Sequence, residues 1–485
     1  MGSNTITYTV KDLVDLGIIE KPLDGNHGGI HPKSSDYVEH GVPFIMASDL
    51  INGHVDINGC KFITEEQAKT LRKGFAKEGD VLLSHKATIG RTAIVGKLFT
   101  DFIVLTPQIT YYRVLDLTRL NPKYLKYYFD SETFQSLFEQ WAGGGSTRLY
   151  LGITEQMKLP IELPKVTIQN QIVDLIDSFD QKITLNRQIN QTLEQMAQVL
   201  FKSWFVDFDP VVDNALDAGF FEQNSDLPEE LLRRAEQRKT VREQPDFKPL
   251  PAETRQLFPT AFEECEEPSL GLGGWVPKGW GISLAGDELV VKGGSTPSTA
   301  NPDFWNDGDI HWTSPKDLSG STEKIMLDTE RKITAAGLQK ITSGLLPIGS
   351  VLMSSRAPIG YLAITKIPVA VNQGYIAIPT SKQLSQEYIL YWLNNSVEDI
   401  KSIAGGTTFA EISKRTFKSI PLIIPCNKVI LIFSELVKGY LDKIAKNVME
   451  RSTLEQLRDT LLPKLISGER CLNDDGTLAS GNTDC

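Results

Sequence analysis

The sequence predicts an α+β protein in which two similar globular domains are separated by two long helices, packed as an antiparallel coiled coil in a pseudo-two-fold internal repeat. Three observations carry this prediction. In residues 169–206, Ile172, Ile176, Phe179, Ile183, Ile189, Leu193, Met196 and Leu200 recur mostly three or four apart, with no Gly or Pro to interrupt. In residues 428–464, Phe433, Leu436, Tyr440, Ile444, Leu454, Leu457 and Leu461 keep a similar spacing and Pro463 marks the stop. Finally, the wording itself recurs at nearly constant separation along the chain.

The repeat is legible residue by residue. Gly79-Asp80-Val81-Leu82-Leu83-Ser84 runs on to Ile89-Gly90, and Gly349-Ser350-Val351-Leu352-Met353-Ser354 runs on to Ile359-Gly360, an offset of 270 (349 − 79). Ala142-Gly143-Gly144 matches Ala404-Gly405-Gly406 at 262 (404 − 142), and Thr192-Leu193-Glu194-Gln195 matches Thr453-Leu454-Glu455-Gln456 at 261 (453 − 192). A shift that drifts by so little marks a duplicated unit of globular domain plus long helix. At roughly 1.5 Å per residue the first helix would reach about 57 Å, a length that needs a partner. Two units related by an approximate two-fold axis would bring their helices together antiparallel, with the globular domains at opposite ends of a rod. Asn186 falls where the heptad wants an apolar residue, which in a coiled coil fixes register.

Within each unit, Phe44-Ile45-Met46 and Ile310-His311-Trp312 read as short strands followed by turns or caps at Ser48-Asp49-Leu50 and Lys316-Asp317-Leu318. The Gly-bounded apolar runs at 81–84 and 351–354 read as buried strands, and residues 110–114 and 374–378 as alternating ones. Residues 125–141 and 388–404 look helical, each ending at its glycines. The boundaries so drawn are 1–165 and 276–425 for the domains, 166–206 and 426–470 for the helices, and 471–485 for a polar, frayed tail. Residues 207–275, broken by Pro210, Pro228, Pro245, Pro249, Pro251, Pro259 and Pro268, read as an acidic connector holding one helix over 229–241, with Asp226 and Pro228 as its start signals.

Composition narrows the function. The net charge of −11 argues against a lone nucleic-acid binder, so any such surface must be a local basic patch or be completed by a partner. No run resembles a secretory leader or a membrane span, which points to the cytoplasm and to no membrane partner. Five cysteines without a CxxC pair suit a reducing compartment and exclude a cysteine-built zinc site. No nucleotide loop, HExxH, GxSxG or dinucleotide fingerprint is present, so no catalytic and no metal-ligating residue is assigned. His27 and His31 are separated by Gly28 and Gly29, as solvated loop histidines are.

What remains are paired polar loops. Asn26 and His27 precede the first core strand, and Ser295 and Thr296 hold the corresponding place in the second unit. Ser84, His85, Lys86, Thr88 and Arg91 face Ser355 and Arg356, both sets at strand ends. Thr147 and Arg148 match Thr407 and Thr408 after the glycines. Such side chains donate to base edges or phosphates when carried on a rigid scaffold; equally, loops need polar residues and glycines make joints.

These residues resemble the specificity subunit of type I restriction-modification systems over nearly the whole chain. The resemblance rests on the order of elements, the duplication, residues 193–205, Leu257-Phe258-Pro259 with 273–280, and Leu461-Leu462-Pro463-Lys464-Leu465-Ile466-Ser467-Gly468. It implies a noncatalytic subunit whose two target-recognition domains each read half of a bipartite site in double-stranded DNA, with the helices setting the spacer. It implies two modification (methyltransferase) subunits carrying S-adenosylmethionine for adenine-N6 methylation by base flipping, and restriction/translocase subunits carrying ATP and Mg, with no cofactor on this chain. The alternatives are a two-domain scaffold that binds only proteins, disfavoured by the divergence of the two domains, and a fusion to a catalytic domain, disfavoured by the missing motifs.

Overall fold

Two helices of 40 residues each, Val166–Phe205 and Asn427–Ile466, run through the computed structural model, which describes residues 5–143, 149–356, 358–405 and 410–473. The chain divides into two compact units, one of residues up to 184 together with those from 451 onward, the other Leu185–Glu450. Each helix therefore gives one part to each unit. In the first unit, Ile172, Val173 and Ile176 share a core with Leu462, Leu465 and Ile466, and Arg458 donates to Asp180 at 2.9 Å. In the second, Phe201, Trp204 and Phe205 share a core with Val429, Phe433, Val437 and Leu441. Within each unit the start of one helix meets the end of the other, so the pairing is antiparallel.

Asn186 is buried and donates to Glu450 at 2.9 Å, and one turn on, buried Asn447 donates to Asn190 at 2.8 Å. The predicted stripe is only partly the seam: Met196, Leu436 and Leu457 are exposed, while Ala197, Val437 and Leu441 are buried. A straight helix drifts about 20° per heptad against a 3.5-residue repeat, so the buried face moves off any fixed column. Pro463 does not stop the second helix, which continues to Ile466. Its missing N–H removes one bond close to the end, and the buried Leu465 and Ile466 hold the last turn.

The globular parts repeat in topology. The first unit has a sheet ordered Leu23–Asp24, Ile109–Tyr112, Val81–Lys86, Thr88–Ile94, Gly53–Val55, Leu50–Ile51; the second has Leu289–Lys292, Tyr375–Ser381, Val351–Ser354, Leu362–Thr365, Ile325–Met326. A smaller sheet accompanies each: Val42–Ile45 lies between Lys61–Ile63 and Ile103–Leu105, and Ile310–Thr313 lies between Arg331–Ile333 and Ala370–Val371. Asp49 and Asp317 cap the turns after these strands by accepting from Met46 and Ser314 backbone N–H, both at 2.8 Å. Where alternation was expected, residues 110–112 and 374–378 are all buried, because each central sheet lies between two cores. Tyr112 enters one and Ile109 and Tyr111 the other; Ile376 and Ile378 enter one and Tyr375 and Ala377 the other. The helix expected over 125–141 is two, Pro122–Asp130 and Glu132–Ala142, because Ser131 is extended and caps the second by accepting from Phe134 N–H.

The connector holds four helices and a two-stranded ladder where one helix was expected: Asp209–Asp217, Phe220–Gln223, Glu229–Arg242, Ala252–Arg255, and Phe262–Glu264 with Trp275–Pro277. Three of its prolines start helices: Pro228 is an N-cap, as expected, and so is Pro251, while Pro210 is in a first turn. Phe208, Val211, Val212 and Leu231 are buried in the second unit's core, and Asp209, Asp213 and Asp217 pair with Arg234, Arg238 and Arg242 along the two longest helices. Most of the polar tail, residues 474–485, lies outside the described residues.

Candidate nucleic-acid interface

In each unit the central strand, Val81–Lys86 or Val351–Ser354, runs out into a polar turn held by the same backbone bonds. Ser84 Oγ accepts from Arg91 N–H at 2.9 Å, and Ser354 Oγ from Tyr361 N–H at 2.8 Å. The next residue donates across the turn: His85 N–H to Gln108 carbonyl and Ser355 N–H to Gly374 carbonyl, both at 2.8 Å. A returning segment then closes on that residue, Leu151 N–H on His85 carbonyl and Ile412 N–H on Ser355 carbonyl, both at 3.0 Å. The returning segments follow the Gly-rich stretches, so Thr147, Arg148, Thr407 and Thr408 belong here by sequence but lie outside the described residues.

The second loop of each unit is also matched. A Cβ on Gly25 would collide with the Leu105 carbonyl, and one on Gly294 with the Val371 carbonyl, so only glycine lets the chain pass. Asn26 then clamps a neighbouring turn, donating to Lys73 carbonyl at 2.5 Å and accepting from Arg72 N–H at 2.9 Å; Ser295 Oγ does the same to Lys340 carbonyl at 3.0 Å.

The predicted residues thus separate into two kinds. Asn26, Ser84, His85 and Ser295 spend their side chains inside the unit, and Ser355 is buried. His85 Nδ1 donates to Leu151 carbonyl at 3.0 Å, leaving Nε2 buried without a partner, and burial lowers its pKa so that the ring is neutral. These five are scaffold. Exposed beside them are His27, Lys86, Thr88, Arg91 and Thr296, with Arg356 half-buried. Arg91 donates to Ala47 carbonyl at 3.1 Å, Thr296 to Gln373 at 2.8 Å, and Arg356 lies 3.9 Å from Glu411, too far for a strong pair.

The structure adds residues that sequence reasoning missed. His27 Nε2 lies 2.7 Å from the Asp24 carboxylate, which Lys73 also reaches. Burial works against the charged Asp24, but Lys73 and His27 outweigh it and hold the carboxyl below its ordinary value. Lys86 stands over the Tyr150 ring at 5.8 Å, and His85 lies beside the same ring at 5.7 Å. Lys73 is 49 positions from Asp24 and Tyr150 is 64 from Lys86, so no local signal announces either contact.

Comparison with known proteins places this arrangement. The profile of the type I restriction modification DNA specificity domain matches residues 6–195 and 277–433, one stretch in each repeat. The chain is 30% identical over 448 residues to the type I restriction enzyme HindI specificity subunit of Haemophilus influenzae, covering 88% of this chain and 94% of that one. It is 33% identical over 195 residues to the MjaIX specificity subunit of Methanocaldococcus jannaschii, covering 38% and 44%. A type I restriction-modification S subunit from M. genitalium has the same fold, with a TM-score of 0.52 at 14% identity and 96% of each chain covered. With one specificity domain in each repeat and a relative aligned over nearly its full length, the chain belongs to the family of type I restriction-modification specificity subunits.

Proposed function

We propose that each unit reads one half of a bipartite sequence in double-stranded DNA, and that the paired helices set the number of base pairs between the halves. One observation carries the reading: the same turn, with the same backbone bonds, recurs in both units and presents different side chains. His27, Lys86, Thr88 and Arg91 stand where the second unit offers Thr296 and Arg356. A constant frame with variable donors is what two readers of different half-sites require. Thr147, Arg148, Thr407 and Thr408 complete the two sets.

Chemistry enters through partners in this reading. Two modification subunits dock on the chain and bring S-adenosylmethionine for adenine-N6 methylation; restriction subunits add ATP- and Mg-dependent translocation and cleavage, in the cytoplasm. The net charge of −11 supports this division, since a partner that brings positive surface supplies part of the phosphate contact. Among the described residues no helix is long and apolar enough to cross a membrane.

The test is a genome-wide map of N6-methyladenine in cells with and without this chain, its modification partners being present and active in both. Marks confined to one split motif, dependent on the chain, are expected. Unchanged methylation would overturn the reading and leave a protein-binding scaffold.

A further inference from the structure

In the second unit Trp305 and Trp312 meet edge to face, ring centroids 5.1 Å apart at 87°. Arg331 covers both, its guanidinium carbon 3.5 Å from the Trp305 centroid and 5.5 Å from that of Trp312. The backbone builds this: Trp312 and Arg331 are directly opposed in an antiparallel ladder, so their side chains leave one face. Trp305 is pinned by Nε1 to Ser298 carbonyl at 3.0 Å, and Trp312 by Nε1 to Ser295 carbonyl at 3.3 Å, which sets the platform against the Ser295–Thr296 loop. Arg331 is exposed, and its guanidinium has no hydrogen bond or ion pair among the described residues.

The first unit repeats the pattern. Tyr37 and Phe44 take the places of Trp305 and Trp312, at an offset of 268 in both cases (305 − 37, 312 − 44), with ring centroids 5.9 Å apart. Lys61 is directly opposed to Phe44 in the ladder, as Arg331 is to Trp312, and it too is exposed. The polar turns differ between the units at nearly every candidate position, whereas aromatic, aromatic and cation are kept. A side chain that reads a base must change with the base; one that holds a phosphate need not. Stacking on the indole fixes the guanidinium plane and leaves its edge donors open, so little freedom is lost when an anion is bound.

We propose that Arg331 on Trp305 and Trp312, and Lys61 opposite Phe44, are matching anchors for the DNA phosphate backbone, one in each unit. The proposal rests on the DNA-reading function above. In an otherwise acidic chain, these two positions hold register without contributing to sequence choice.

The test is DNA binding by the full chain with its modification subunits across a salt series, on a duplex carrying the target and on a scrambled duplex. Arg331→Gln should weaken both duplexes by the same factor, about eightfold at 0.1 M salt, and reduce the slope of log affinity against log salt by about 0.9. Lys61→Gln should do likewise, Arg331→Lys should keep the slope, and the methylated motif should not change. Altered base preference at one position would make Arg331 a base reader, and unchanged affinity and slope in both Gln variants would make the platform structural; either overturns the proposal. If Arg331→Gln melts early, Lys61→Gln, exposed and in the other unit, decides by the same slope. A wild-type complex with no preference between duplexes would sink the sequence-reading function, while the slope would still judge the anchors.

Discussion

Replacing the buried amide pair of the helices separates what an interaction contributes from what its loss costs. Asn447 donates to Asn190 at 2.8 Å, Asn190 Nδ2 lies 3.5 Å from Glu323, and Asn447 Oδ1 is buried without a partner. Asn190→Leu strands the whole Asn447 amide and should cost about 3 kcal/mol, the upper end for a buried unpaired group. Asn447→Leu removes an acceptor already unsatisfied and strands only Asn190 Oδ1, so about 1 kcal/mol is expected. The double Leu variant removes every stranded atom and should return to within about 1 kcal/mol of the parent, as apolar replacement of buried polar pairs does. Urea unfolding followed by tryptophan fluorescence suits the measurement, since Trp204, Trp275, Trp280, Trp305, Trp312 and Trp392 all lie within Leu185–Glu450, as do both asparagines. A double variant that loses about 4 kcal/mol, the sum of the singles, would refute the reasoning. With its modification subunits, the same variant should direct methylation to motifs of more than one spacer length, because a buried amide specifies register and an apolar seam does not.

Four residues inserted into Val166–Phe205 add roughly 6 Å of helix and should lengthen the spacer with both half-sites kept; a changed half-site at constant spacer would count against the ruler. Gly25→Ala or Gly294→Ala drives a Cβ into a carbonyl oxygen and should destabilise by more than about 2 kcal/mol, and an unshifted thermal melt would show that the loop yields. Burial holds the pKa of His31 and His85 below the ordinary 6.5, so the unfolded chain binds more protons in that range. Their contribution is complete above about pH 6.5 and is lost as pH falls below it. The protein should melt lower at pH 5.5 than at 7.5, and His85→Gln should narrow the gap; an unaltered gap would mean that His85 takes no part.

Much of this was legible because duplication prints itself in one dimension. The offsets at Gly79 and Gly349 located both central strands, and the apolar periods located both helices. What escaped was set by contacts between distant residues. Asn26 reads as an exposed loop donor until residues 72–73 close on it. Trp305, Trp312 and Arg331 become one object only through the pairing of two strands and a turn. Pro228 reads as a helix start and is one, whereas Pro210 and Pro251 read only as breakers, since the short helices they begin carry too few residues for an apolar period to show. The candidate loops were legible as two matched sets; which of their members face outward was decided by burial.

The division of the chain also bears on the order of synthesis. Leu185–Glu450 is contiguous and can complete its core as soon as it leaves the ribosome. The N-terminal unit cannot, since Ile172, Val173 and Ile176 await Leu462, Leu465 and Ile466 from the far end of the chain. At about 5–20 residues per second, the roughly 270 residues between take on the order of 10 to 50 s, during which an apolar helix face stands uncovered. The first unit to emerge is thus the last to finish, and its waiting period is where a chaperone, or a second nascent copy offering the same helix, has its opportunity.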